Sequence, residues 1–150
     1  MTDPLPRFFT SAAEIVRLGE GLIACNLARA DWTHEAHLAA CLYLMTERPD
    51  LDLDAEIAGL ISRFNESVGG VNDDQSGYHD TITHAYLRGV QLFLSQTAAA
   101  DLLDRVNTLL ASPVGHRDWP LHFYSHDLLF SVPARRGFVA PDLAPLPGAC

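Results

Sequence analysis

The sequence predicts an all-α fold: an antiparallel bundle of five to six helices with an extended, proline-rich C-terminal strap. Apolar residues recur at helical spacing along successive segments, whereas no run of β-branched residues alternates with the period of two that strands show. The connections between these segments are mostly short, which favours antiparallel neighbours. A chain of 150 residues is long enough for one buried core. We therefore expect one helical domain over residues 1–150.

Capping residues delimit the first two predicted helices. Ser11 and Glu14 have the spacing of a capping box ahead of an apolar run, which predicts a first helix over 12–29. Thr33 is placed to cap a second helix, which Pro49 ends because proline cannot continue a helix. Only a short connection is expected between these two helices.

The later elements are separated by loops of glycine, proline and aspartate. They are predicted as a third helix capped by Asp54, a polar loop over 69–77, and helices over 78–95, 98–111 and 119–131. The tail is rich in proline from Pro133 onward, which favours an extended strap over a further helix. In that strap, Phe138, Val139 and Leu143 are expected to face inward.

Charge and composition exclude several classes of function. The net charge of −9 disfavours binding to nucleic acid or to an anionic membrane. No apolar run is long enough to span a membrane, the N-terminus has no signal-peptide pattern, and no nucleotide-binding motif is present. The three cysteines have no C-x-x-C spacing, which is typical of a reducing cytoplasm. We expect a cytoplasmic protein with a small-molecule ligand, and a homodimer is left open.

The predicted topology brings most of the seven histidines to one end of the bundle. The second and fourth helices begin at the same end, where the fifth helix finishes and the sixth begins. Six histidines lie at these positions: His34, His37, His79, His116, His122 and His126. We therefore expect a histidine-rich site at this end.

The chemistry of this cluster favours a metal ion. Side chains three residues apart on a helix are neighbours, so His34 and His37 can share one ion. The positive end of a helix dipole disfavours imidazolium, which leaves the neutral form that binds metal. Three histidines, or two with a carboxylate, suit Zn²⁺ or Fe²⁺. The candidate ligands are His34, His37, His79 and His126, and the candidate catalytic carboxylates are Glu35 and Asp80.

Aromatic and basic residues flank these histidines. Trp32, Tyr78, Tyr124 and Arg135 are expected to wall a small-molecule pocket. The sequence HEAH lacks the H-E-x-x-H spacing of zinc proteases, and an isolated H-x-x-H is a weak motif. Two alternatives are therefore kept: a pocket in which the histidines act without metal, and an interaction protein whose histidines are structural.

Three segments resemble a family of small bacterial helical proteins of uncharacterised function. They are WTHEAHL, GYHDTIT and LLFSVPARRGFVAPDLAPLP. Members of that family carry W-x-H-x-x-H-L and Y-H-E/D-T-I-T elements and a similar tail, and the resemblance spans most of residues 31–147. It marks His34, His37 and His79 as motif positions, and the family usually has Glu where this chain has Asp80. The resemblance implies a helical fold and brings no activity.

A weaker similarity is to the HD-domain phosphohydrolases, whose metal site uses a His-Asp pair. The dipeptide occurs here at 79–80 and 126–127, and His34 would have to supply the first ligand. A two-residue match occurs readily by chance. Because this match is weak, a metal-dependent phosphohydrolase is kept only as an alternative function for a metal site.

Overall fold

The computed structural model describes residues 7–147, and within that range the chain is all-helical, without strands. The predicted all-α class is confirmed. The described residues form seven α-helices: α1 (Ala12–Ala24), α2 (His34–Glu47), α3 (Leu53–Ser67), α4 (Asp80–Gln96), α5 (Leu102–Ala111), α6 (His126–Leu129) and α7 (Val132–Arg136). Short 3-10 helices cover Arg29–Asp31, Pro113–Gly115 and Trp119–His122. Among the helices of the described range, none has the length and hydropathy needed to cross a membrane.

The first helix begins as predicted and ends earlier. The Ser11 hydroxyl accepts a hydrogen bond from the Glu14 N–H, as in a capping box. The predicted end at residue 29 is wrong, because Cys25 adopts a left-handed conformation with φ of 56° and closes the helix onto the carbonyls of Gly21 and Leu22. Gly21 carries no side chain at the point where Leu27 packs back on the helix.

The predicted N-cap of α2 is confirmed, whereas the predicted N-cap of α3 is wrong. The Thr33 hydroxyl accepts from the Ala36 N–H at 3.1 Å, as predicted. The predicted cap Asp54 lies inside the first turn of α3 instead, and Asp52 occupies the N-cap position. The Asp52 carboxylate makes no capping hydrogen bond, whereas the Glu56 carboxylate accepts from the Asp52 N–H at 2.8 Å.

The C-terminal third differs most from the prediction. The predicted helix over 119–131 is divided into a 3-10 helix and the four-residue α6, and α7 lies where the start of the strap was expected. Ser131 caps α7 and Pro133 occupies its first turn, a position that proline tolerates. Phe138 and Leu143 are exposed, contrary to the prediction, whereas Val139 packs against the core. The extended strap is therefore not confirmed.

One core of buried apolar side chains connects the helices. α1 packs on α2 at Gly19, where a Cβ atom would overlap the ring of Tyr43. α2 also contacts α4 and α5, so it is the central helix of the packing. The antiparallel arrangement as a bundle stays a prediction.

Candidate functional site

An apolar cavity of about 350 Å³ opens between the first four helices. Its position follows from the inner faces of α1 to α4, which do not fill the space that they enclose. The lining residues are Leu22, Trp32, His34, His37, Leu38, Ala40, Cys41, Ile57, Ile61, Ile82, Thr83, Tyr86 and Leu87. A volume of this size lies at the lower end of the range for small-molecule sites.

His37 lines the cavity and carries its ring proton on Nδ1. Its Nδ1 lies 2.7 Å from the backbone oxygen of Thr33, and because a carbonyl only accepts, Nδ1 carries the proton. The neutral ring then has a lone pair on Nε2, for which residues 7–147 provide no hydrogen-bond partner. The ring stacks against Trp32 with 4.1 Å between ring centroids. These contacts fix both the tautomer and the orientation of the ring.

His34 is held in the opposite tautomer. Its Nε2 donates to the backbone oxygen of Gly115 at 2.9 Å, which leaves the lone pair on Nδ1. The edge of its ring meets Tyr86, with 5.7 Å between ring centroids. The Tyr86 hydroxyl donates to the backbone oxygen of His116 at 2.7 Å. The start of α2 and the middle of α4 are thus both hydrogen-bonded to the end of the 3-10 helix that follows α5, at Gly115 and His116.

Burial keeps the Cys41 thiol protonated, and partial loss of solvation favours the neutral form of His37. The His37 side chain is exposed, although apolar side chains make up most of the cavity lining beside it. Loss of solvation lowers the pKa of His37 to about 4, opposed by the Thr33 hydrogen bond and assisted weakly by His34. Burial raises the pKa of the Cys41 thiol far above its usual range, so Cys41 is no thiolate nucleophile at neutral pH. Among residues 7–147, the titratable groups of the lining are His34, His37, Cys41 and Tyr86.

His79 is not among the residues that line the cavity, and both of its ring nitrogens contact the backbone. It is the N-cap of α4: its Nδ1 accepts from the Ile82 N–H at 3.1 Å. Its Nε2 donates to the backbone oxygen of Leu129 at 2.7 Å. Both ring nitrogens are therefore occupied by the backbone, and burial lowers the pKa of this histidine.

Thr81, also in the GYHDTIT segment, connects the same helix start to the tail. Its hydroxyl donates to the Gly137 oxygen at 3.0 Å and accepts from the Val139 N–H at 3.1 Å. Together with the bond from His79 to Leu129, this joins the GYHDTIT segment to the LLFSVPARRGFV segment. Two of the three motifs that carry the family resemblance are thus in contact.

Asp80, a predicted catalytic carboxylate, lies in a small polar cluster outside the cavity lining. The Tyr78 hydroxyl donates to its Oδ1 at 2.7 Å, and Nε2 of His84 lies 3.3 Å from the same oxygen. Burial, and then the hydrogen bond to Asp80, raise the pKa of Tyr78 above its usual range. The Asp80 carboxylate is therefore hydrogen-bonded to Tyr78 and lies close to His84 in the next turn of α4.

The remaining predicted residues also lie outside the cavity lining. Glu35 is buried with one oxygen 3.5 Å from the Arg117 guanidinium. His126 is exposed and its ring stacks on Phe130. Tyr124 is fully buried and donates to the Val139 oxygen at 2.6 Å, and Arg135 donates to the Gly77 oxygen at 2.8 Å.

Within residues 7–147, no three His, Cys, Asp or Glu side chains come together as a metal-binding group. Of the four predicted ligands, only His34 and His37 line the cavity and keep a ring nitrogen without a partner. His79 uses both of its nitrogens. The predicted Zn or Fe site stays a prediction, and these two histidines are the part of it that the geometry favours.

The structure thus brings together Trp32, His34 and His37 from the predicted site and adds an apolar wall that was not predicted as a pocket. In the sequence, Cys41 follows His37 by four residues and Ile61 follows Ile57 by four residues, which is the spacing of one helical face. Helical periodicity therefore located the lining, but it gave no sign that the space between these faces is left unfilled.

The chain was compared with protein families, curated proteins and solved structures. No family model, curated protein or solved structure matches it. The resemblance to the uncharacterised bacterial family therefore stays a prediction, and function is argued from the site alone.

Proposed function

We propose that this protein binds a small, largely apolar molecule in the cavity that the four helices α1 to α4 enclose, and that binding does not require a metal ion. The observation that carries the proposal is an apolar cavity of about 350 Å³ whose lining includes two imidazoles oriented by hydrogen bonds to backbone carbonyls. Small-molecule sites are typically apolar pockets with a few polar groups that fix the orientation of the ligand.

The orientation of both histidines supports this proposal. His37 and His34 each donate one proton to a backbone carbonyl, so neither ring needs a ligand to hold its position. A site that is ordered before the ligand arrives loses less conformational entropy on binding. The histidines therefore serve as positioning groups for a ligand.

The proposal is tested with toluene and its two para-substituted derivatives para-cresol and para-toluate, and binding is followed by thermal unfolding and by the fluorescence of Trp32. Trp119 is buried against Tyr86 and Phe123, so a Trp119→Phe background leaves Trp32 as the reporter in the cavity wall. We expect at least one uncharged probe to raise Tm and to change the Trp32 emission.

The matched variants are Ile61→Phe and Ile23→Phe. Ile61 lines the cavity, whereas Ile23 packs against the core elsewhere, and both are partly exposed. Filling the cavity at Ile61 should abolish binding, and the change at Ile23 should leave it intact. The proposal is wrong if no probe binds the wild-type protein, or if both variants bind equally well.

A further inference from the structure

We infer that the cavity selects neutral ligands that donate a hydrogen bond from an apolar body, such as phenols, over anions and over hydrocarbons of the same shape. This inference rests on the proposed function and names its ligand class. It follows from the hydrogen bonds that the lining residues already make.

The proton donors of the lining are largely used by the protein. The Thr83 hydroxyl donates to the His79 oxygen at 2.7 Å, and the Tyr86 hydroxyl donates to the His116 oxygen at 2.7 Å. The imidazole N–H groups of His34 and His37 donate to backbone carbonyls. What the two rings retain toward a ligand are lone pairs, which only accept. A ligand with a hydroxyl or N–H group therefore matches the site.

The charge of the lining excludes an anion. No Asp, Glu, Lys or Arg lies among the lining residues of the described chain. His37 stays neutral at pH 7 because the apolar surroundings disfavour its imidazolium form. The indole N–H of Trp32 is one neutral donor and does not balance a carboxylate. Moving a carboxylate into such surroundings without a partner charge costs far more than the apolar contact returns.

The selectivity for donors over hydrocarbons follows from the unpartnered lone pair of His37. A hydrocarbon that displaces water from Nε2 of His37 leaves this acceptor unsatisfied, whereas a phenol hydroxyl replaces the water. A site with an unpartnered acceptor in its lining therefore discriminates against the analogue that lacks the matching donor.

The three probes test the inference directly, because toluene, para-cresol and para-toluate differ only in one substituent. We expect para-cresol to bind about tenfold more tightly than toluene, from one additional hydrogen bond, and para-toluate to bind at least roughly a hundredfold more weakly than para-cresol. Titration calorimetry at pH 7 measures all three dissociation constants on the full chain.

Two variants assign the selectivity to His37. His37→Phe keeps an apolar ring and removes one of the two acceptors, so the preference for para-cresol over toluene should fall sharply, and His34→Phe should reduce it less. His37→Gln supplies an acceptor again and should restore the preference for para-cresol. This variant shows whether the effect of His37→Phe comes from the lost acceptor or from a packing defect.

The outcomes distinguish failure of the ligand-class inference from failure of the proposed binding function. Equal binding of toluene and para-cresol to the wild-type protein overturns the inference while the cavity function survives. Tighter binding of para-toluate also overturns the inference, because the site would then contain an effective positive charge. Binding of none of the probes refutes the proposed function itself.

Discussion

Replacing His79 separates the two hydrogen bonds that this residue makes and distinguishes its structural role from the predicted metal-ligand role. His79→Ala removes both bonds, whereas His79→Asn keeps an oxygen that can cap α4 but is too short to reach Leu129. Because burial lowers the pKa of His79, the ring is neutral at pH 7 and neither substitution removes a charge.

The magnitudes follow from the two bonds. Loss of an N-cap costs about 1 kcal/mol. The bond from His79 to Leu129 is buried, and leaving its carbonyl unsatisfied costs about 1–3 kcal/mol. The free energy of unfolding should therefore fall by about 2–4 kcal/mol in His79→Ala and by about 1–3 kcal/mol in His79→Asn.

Urea unfolding followed by circular dichroism at pH 7, with and without EDTA, measures both effects. The control is His84→Ala, which removes a partly exposed contact to Asp80 and an edge contact with the exposed ring of Phe138, and should change stability by less than about 0.5 kcal/mol. Two results would refute the reasoning: an unchanged stability in His79→Ala, or a loss in EDTA-treated wild-type protein equal to that of the variant. The second result would indicate that His79 binds a metal.

Three further predictions concern the cavity. Because the pKa of His37 is lowered to about 4, the unfolded chain binds more protons between pH 6.5 and pH 4, and stability falls as pH decreases through that window. His37→Gln should remove about 1 kcal/mol of this dependence in acid unfolding, less than the full pKa shift implies because water reaches the ring. Protein treated with a chelator, and shown by elemental analysis to be free of metal, should bind para-cresol with unchanged affinity. A loss of para-cresol affinity that added Zn²⁺ restores would favour the metal site. Alkylation at pH 8, followed by peptide mass spectrometry, should modify Cys41 at least about tenfold more slowly than Cys25, because burial keeps Cys41 protonated; equal rates would contradict the buried position.

Local signals of the sequence predicted the helices whose ends are decided locally. Ser11 and Thr33 cap α1 and α2 through their own hydroxyls, so the residue type is enough to find the start. The end of α1 was missed because Cys25, a residue that seldom adopts a positive φ, closes the helix. The start of α4 was placed two residues early because histidine is not among the usual N-cap residues.

The candidate site could be predicted only in part. Trp32, His34 and His37 are neighbours in sequence, and helical spacing alone places the last two on adjacent positions of one helix. Whether His79 joins them depends on the tertiary position of Leu129, fifty residues further along the chain, which takes the second nitrogen of that ring. The cavity depends on the fit of side chains from four helices, which no local pattern records.

The protonation states of the histidines test the account most directly, because every functional statement about the cavity depends on them. In ¹⁵N-histidine-labelled protein at pH 7, NMR should show the neutral Nδ1–H tautomer for His37, the neutral Nε2–H tautomer for His79, and a proton on Nε2 of His34. Lowering the pH should leave His37 neutral until about pH 4. A His37 ring that titrates near pH 6.5, or that carries its proton on Nε2, would contradict the account.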